Sequence, residues 1–151
     1  MTTANFCASD VHALVGAWRL RAFQITSSEG EVSYPFGESA QGMLLYSRCG
    51  LVSAQLMRSD RPLFESGDQQ TGTETEIEDN FKNCISYFGT YELHEEDNFV
   101  IHHVENSLFP NWEGTQQKRF FEMKNNTLRI STPPVNWGNK EQVAELIWER
   151  I

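Results

Sequence analysis

Basic residues are scarce in this chain of 151 residues. Lys and Arg number 12 against 21 Asp and Glu, a formal charge of −9. Without a basic stripe, no phosphate-driven binding of nucleic acid and no attachment to anionic membranes is expected. No run approaches the roughly 18 consecutive apolar residues of a membrane-spanning helix. The opening MTTANFCASDVHALVG has no basic segment leading into an apolar one, so no secretory signal is expected. Cysteine is sparse too. Cys7, Cys49 and Cys84 are odd in number, scattered and without CxxC spacing. They read as free thiols of a reducing compartment, the cytoplasm, and not as a disulfide framework or a zinc site. The HxH and HExxH ligand patterns are missing, as are GxSxG, GxxxxGK[ST] and GxGxxG. Neither a metal, a nucleophile elbow nor a nucleotide cofactor is therefore expected.

What remains is a chain that is 39% hydrophobic and 12% aromatic, suited to a packed core. Its length is enough to bury roughly 70% of the unfolded surface in one domain. The expected division is one domain over 1–151, with an N-terminal segment 1–13 and a barrel over 14–151. Ser9 to Val15 reads as a short helix capped by Ser9 or Asp10. Thr73 to Ile85 reads as the one substantial helix, because Ile77, Phe81, Cys84 and Ile85 recur at helical spacing after early acidic residues. It is expected against the sheet or over its mouth.

Elsewhere the apolar period is two, broken by turn signals. Strands are expected at 16–26, 42–47, 51–58, 86–94, 99–105, 115–124, 127–132 and 143–151. Asn125-Asn126 suits a type I′ turn, which also accounts for the apparent sequon at Asn125-Asn126-Thr127. Eight successive strands without a long crossover predict an all-β, up-and-down antiparallel sheet, and closure into a barrel removes its edges.

Strand parity then assigns faces. Pairing Met123 with Leu128 and Phe121 with Ile130 places Arg119 opposite Thr132 on the inner face. Pairing Leu93 with Val100 sets Tyr91 opposite His102. Pairing Tyr46 with Leu51 groups Leu44, Tyr46, Ser53, Gln55 and Met57 inside. Leu146, Trp148 and Arg150 complete the interior from the last strand. This interior is apolar but includes Tyr46, Gln55, Tyr87, Tyr91, His102 and Arg119. Buried polar heads need partners, and an apolar lining with a few placed polar groups is how small-molecule sites are built.

Adjacent strand residues point to opposite faces, so His102 and His103 cannot share one metal ion. His102, Arg119 and Tyr91 are the candidates for catalysis or for meeting a ligand's polar end, by proton transfer or charge stabilisation. The alternative is that His102 is a core histidine bonded to Tyr91. Tyr46, Gln55, Met57, Tyr87, Phe121 and Trp112 are the candidate ligand-binding residues. Phe36, Phe64, Phe109 and Trp112 lie on connecting loops, where they form either a gate or a plug.

Several landmarks carry a family likeness. Gly16-Ala17-Trp18 resembles the Gly-x-Trp signature of lipocalins. The stretches YPFGE, YSRCGLVSAQLMRSDRP, YFGTYE, HHVENSLFPNWEGT, QKRFFE, LRISTPP and ELIWERI extend the likeness from about Leu14 to Ile151. Together they resemble the lipocalin-like domain family of small bacterial and fungal proteins. The resemblance implies a calycin-type barrel whose floor is closed by Gly16, Trp18 and a basic partner, Arg150. The function expected of such an interior is to bind a small, largely apolar organic molecule. An alternative is a cofactor-free isomerase or cyclase acting on a polyketide- or terpenoid-like intermediate of secondary metabolism. A plugged barrel serving as an interaction domain or homodimer is the third.

Overall fold

The computed structural model of the chain describes residues 12–151. Ten strands form one sheet: β1 (Gly16–Ser27), β2 (Val32–Ser33), β3 (Gln41–Tyr46), β4 (Leu51–Met57), β5 (Cys84–His94), β6 (Phe99–Ser107), β7 (Gln116–Lys124), β8 (Thr127–Ser131), β9 (Val135–Trp137) and β10 (Lys140–Arg150). Each strand pairs antiparallel with its neighbours, and β1 also pairs with β10. The ring is therefore closed by eight strands, with the short β2 and β9 paired to β1 and β10 near one end. Helix α1 (Glu74–Lys82) joins β4 to β5.

The expected helix from Ser9 lies largely outside the described residues. Its last part, His12 to Val15, is a turn, with the Val15 amide donating to the His12 carbonyl at 3.2 Å. Helix α1 opens with a capping box. The Glu76 amide donates to Thr73 Oγ1 at 3.2 Å, and the Thr73 amide donates to Glu76 Oε2 at 3.4 Å. It ends sooner than its apolar spacing predicts. Asn83 caps it, and Cys84 and Ile85 belong to β5, where they pair with Met57 and Leu56. None of its residues is buried. Phe81 and Lys82 border the barrel mouth, so the helix flanks the opening.

Two bulges shape the wall. Leu20 pairs with Trp148 but Ala22 pairs with Ile147, leaving Arg21 as an extra residue. Parity switches there, so that Trp18 and Leu20 are buried before the bulge and Phe23 and Ile25 after it. On β6, Glu105 is the extra residue between Val104, opposite Gly89, and Asn106, opposite Phe88. The strands approach so closely here that a Cβ on Gly89 would lie 1.9 Å from the His103 carbonyl oxygen.

The β3–β4 hairpin corrects one expected register. Tyr46 pairs with Val52, not Leu51. Ser47 and Leu51 close a three-residue loop, with the Gly50 amide donating to the Ser47 carbonyl and Gly50 at φ 77°. A turn followed by a left-handed glycine adds one residue relative to a two-residue loop. That shift turns Val52, Ala54 and Leu56 inward. Ser53, Gln55 and Met57 turn outward, and Gln55 is exposed. The β5–β6 and β7–β8 hairpins have the expected pairings, Tyr91 with His102 and Phe121 with Ile130. Asn125 alone of its pair takes a positive φ, 54°, so the turn is not the expected type I′.

Candidate ligand cavity

One end of the barrel is closed by interlocking contacts. The Trp18 indole donates to the Leu14 carbonyl at 2.9 Å. The Arg150 guanidinium sits 4.1 Å from the Trp18 ring centre, and its Nη1 donates to the Val15 carbonyl at 2.9 Å. A Cβ on Gly16, which has φ 137°, would meet Arg150 Nη1 at 2.7 Å, so the glycine leaves room for the guanidinium. Tyr91 belongs to this end. Its hydroxyl donates to the Ser47 carbonyl at 2.8 Å and meets His12 Nε2 at 2.8 Å. Although Tyr91 pairs with His102 across the strands, its hydroxyl is engaged away from the interior.

Beyond this floor lies a cavity of about 140 Å³. Its apolar wall comes from Phe23, Leu44, Ala54, Leu56, Ile85, Ile130, Val135, Ala144 and Leu146, with Trp112, Trp137 and Trp148. Tyr87, His102, Gln117, Arg119, Thr132 and Asn136 add polar groups. Ile85, Trp112, Asn136 and Trp137 are shared with an outer hollow of about 410 Å³ that also touches Phe81 and Phe109. This places the mouth between α1, the Pro110–Trp112 turn and the β9–β10 hairpin.

The loop aromatics divide in their roles. Trp112 packs edge-on against Tyr87, with ring centres 5.8 Å apart, and Phe109 packs edge-on against Trp112 at the same spacing. Phe36 is buried with Phe23 and Trp137, at 5.1 and 6.3 Å, and seals the wall near the mouth. Phe64 lies in a separate surface groove beside α1.

His102 is almost fully buried and held at both ring nitrogens. Nε2 lies 2.7 Å from the Tyr46 hydroxyl and Nδ1 lies 2.8 Å from the Tyr87 hydroxyl. Burial, followed by the positive charge of Arg119, pushes its pKa down to about 3. The imidazole is thus neutral, donating at one nitrogen and accepting at the other. Burial raises the Tyr46 and Tyr87 pKa values, so both remain phenols, although Arg119 acts against this at each. The Arg119 guanidinium donates to the Lys118 carbonyl at 2.9 Å and to Gln117 Oε1 at 3.1 Å. Among the described residues, no ion pair includes it.

Of the residues singled out from sequence, His102, Tyr87, Arg119 and Trp112 line the cavity. Tyr46 lies behind His102, and Phe121 is a partly buried member of the core outside the cavity lining. Gln55 and Met57 are on the outer face, where the Arg61 guanidinium reaches Met57 Sδ at 3.2 Å. His103 is on the outer side of β6, with Nε2 3.5 Å from Glu92.

Sequence reading missed Trp137, Val135 and Asn136 because the segment after Pro134 resembles a loop. A signal was present: Gly138-Asn139 between Val135-Asn136-Trp137 and a strand is a hairpin pattern. Both residues take positive φ, 60° and 63°, and Trp137 pairs with Lys140. Phe23 needed the bulge at Arg21, whereas Gln117 follows from the same parity that turns Arg119 inward.

Comparison with known proteins adds three findings. The model of the family described as a lipocalin-like domain matches residues 15–151. The 4'-hydroxy-3'-methoxypropiophenone carrier protein ppsC of Aspergillus oryzae is 33% identical over 107 residues, covering 66% of this chain and 96% of that protein. A crystal structure of a lipocalin-like protein from Bacteroides uniformis has a TM-score of 0.46 at 16% identity, covering 91% of this chain and 98% of that one.

Proposed function

Because this chain belongs to the lipocalin-like domain family, we propose that it is a carrier that binds a small, largely apolar organic molecule inside its barrel. The observation that carries this reading is the mostly apolar cavity with a polar cluster on one wall and aromatics at its mouth. Its size narrows the ligand. A cavity of about 140 Å³ is close to the roughly 150 Å³ that accommodates a benzene ring. One aromatic ring fits, with substituents extending toward the outer hollow. The carrier named for a methoxypropiophenone supports a single-ring aryl ketone of secondary metabolism as the ligand class. We place its action in the cytoplasm as a single-domain protein, in keeping with the scattered cysteines.

Titration with 4'-hydroxy-3'-methoxypropiophenone tests this. Trp112, Trp137 and Trp148 line the wall, so one equivalent of bound ligand should quench tryptophan emission. Absence of saturable binding for this compound and for simpler single-ring ketones would sink the proposal.

A second reading, a cofactor-free isomerase, draws support from the Tyr46–His102–Tyr87 hydrogen-bond chain beside Arg119. Both His102 nitrogens are engaged, so a proton would enter or leave a ligand through the Tyr87 hydroxyl. Recovering the bound ketone unchanged after prolonged incubation counts against this reading. Conversion that stops in Tyr87→Phe supports it. Folding a long polyketide chain, as a cyclase must, is disfavoured by the volume of the cavity.

A further inference from the structure

We infer that the cavity selects a ligand bearing an oxygen acceptor, and that Tyr46, which lies outside the cavity, aims the Tyr87 hydroxyl at that oxygen through His102. This rests on the reading that the barrel holds a small organic molecule.

Hydrogen-bond direction sets the relay. The Tyr46 side chain is buried, and among the described residues its hydroxyl has one polar partner, His102 Nε2 at 2.7 Å. A buried hydroxyl proton goes to the acceptor within reach. Nε2 therefore accepts, and the neutral ring carries its proton on Nδ1. Nδ1–H donates to the Tyr87 oxygen at 2.8 Å. The Arg119 guanidinium lines the same cavity, and its positive charge acts on the Tyr87 phenol. With its oxygen receiving the Nδ1 proton, Tyr87 still has its own O–H to place. Tyr87 lines the cavity, and a cavity occupant can supply the acceptor. The reverse direction would leave the Tyr46 proton without an acceptor among the described residues.

Two further donors surround the same space. Trp148 lines the cavity, and its buried indole N–H has no partner among the described residues. Among the described residues, Arg119 is bonded only to neutral groups and has no carboxylate partner. The Gln117 amide oxygen is already taken by Arg119. The inner wall thus offers donors and positive charge, matching a carbonyl or phenolate oxygen on an apolar ring.

The test uses a matched pair of probes, propiophenone and propylbenzene, which differ in the carbonyl oxygen. Calorimetric titration of the wild-type protein should show the ketone binding about tenfold more tightly, falling to about twofold in Tyr87→Phe. Equal affinity of the two probes for wild type overturns the inference but leaves the carrier reading standing. Failure of both probes to bind removes the carrier reading itself. Long-range ¹H–¹⁵N NMR of the ligand-free protein reads the relay independently of binding. His102 should be the neutral Nδ1–H form, and an Nε2–H form overturns the direction. Tyr46→Phe should release this constraint, so that the Nε2–H form appears and the ketone preference shrinks. A variant that keeps pure Nδ1–H removes Tyr46 from the account.

Discussion

Arg150 lies over the Trp18 ring at 4.1 Å while its guanidinium also donates to the Val15 and Ala13 carbonyls, at 2.9 and 2.6 Å. One side chain from the end of β10 thereby ties the start of β1 to the chain preceding it. Such a contact acts on closure of the barrel, since β1 and β10 are the strands that complete the ring. Arg150→Ala should lower stability by about 2–3 kcal/mol in urea unfolding, from the lost cation–π contact and two carbonyls left without their donor. Arg150→Lys should restore less than half of this, because an ammonium cannot span both carbonyls and stack on the indole.

Gly89 and Gly138 provide a contrast between close approach and backbone conformation. At Gly89 a Cβ would collide with a backbone oxygen at 1.9 Å, and the two paired strands would have to separate. Gly89→Ala should cost more than about 3 kcal/mol or prevent folding. At Gly138 nothing lies within 4 Å, and only φ 60° stands against a side chain. Gly138→Ala should cost about 1 kcal/mol. Thermal denaturation of both variants measures the difference.

The Tyr46–His102–Tyr87 chain makes stability depend on pH. His102 has a folded pKa of about 3, below the 6.5 of an unperturbed histidine. Between these values the unfolded chain binds the proton and the folded protein does not, so stability falls as pH drops from about 6.5 toward 3. Its contribution is fully present above that window. From pH 7 to pH 4.5 the loss attributable to this residue should be about 2.5 kcal/mol. Urea unfolding of wild type and His102→Gln at the two pH values measures it. The acid loss should be clearly shallower in the variant, and equal losses would remove His102 from the explanation.

Cavity and outer face differ in what they do to binding. Trp137→Ala removes an aromatic wall shared by the cavity and the outer hollow. It should weaken an aromatic ketone roughly tenfold. Gln55→Ala alters an exposed side chain on the opposite side of the wall and should leave affinity within twofold. A large effect at Gln55 in calorimetric titration would contradict the observed β3–β4 register.

The difference between Gln55 and Leu56 also shows how far sequence reading reaches. Alternation of apolar and polar residues located the strands, because side chains alternate with period two wherever a sheet has one buried face. It also yielded the correct pairing of Tyr91 with His102 and of Phe121 with Ile130, where loop lengths left one register. At Arg48-Cys49-Gly50 the same alternation was compatible with two registers one residue apart. The left-handed Gly50 selected the one that turns Val52, Ala54 and Leu56 inward.

From sequence alone follow the all-β class, the successive antiparallel hairpins, and an interior containing His102, Tyr87 and Arg119. These depend on local periodicity and on short turns, which a linear pattern records. The partners of those side chains depend on contacts between distant segments. Tyr46, 56 residues before His102, takes one ring nitrogen, while Tyr91 directly across the strands turns to Ser47 and His12 instead. Bulges at Arg21 and Glu105, closure of β1 on β10, and the β9–β10 hairpin set where each wall residue ends up. A one-residue offset reverses a face without disturbing the pattern that predicted the strand, so the cavity became defined only when the barrel closed.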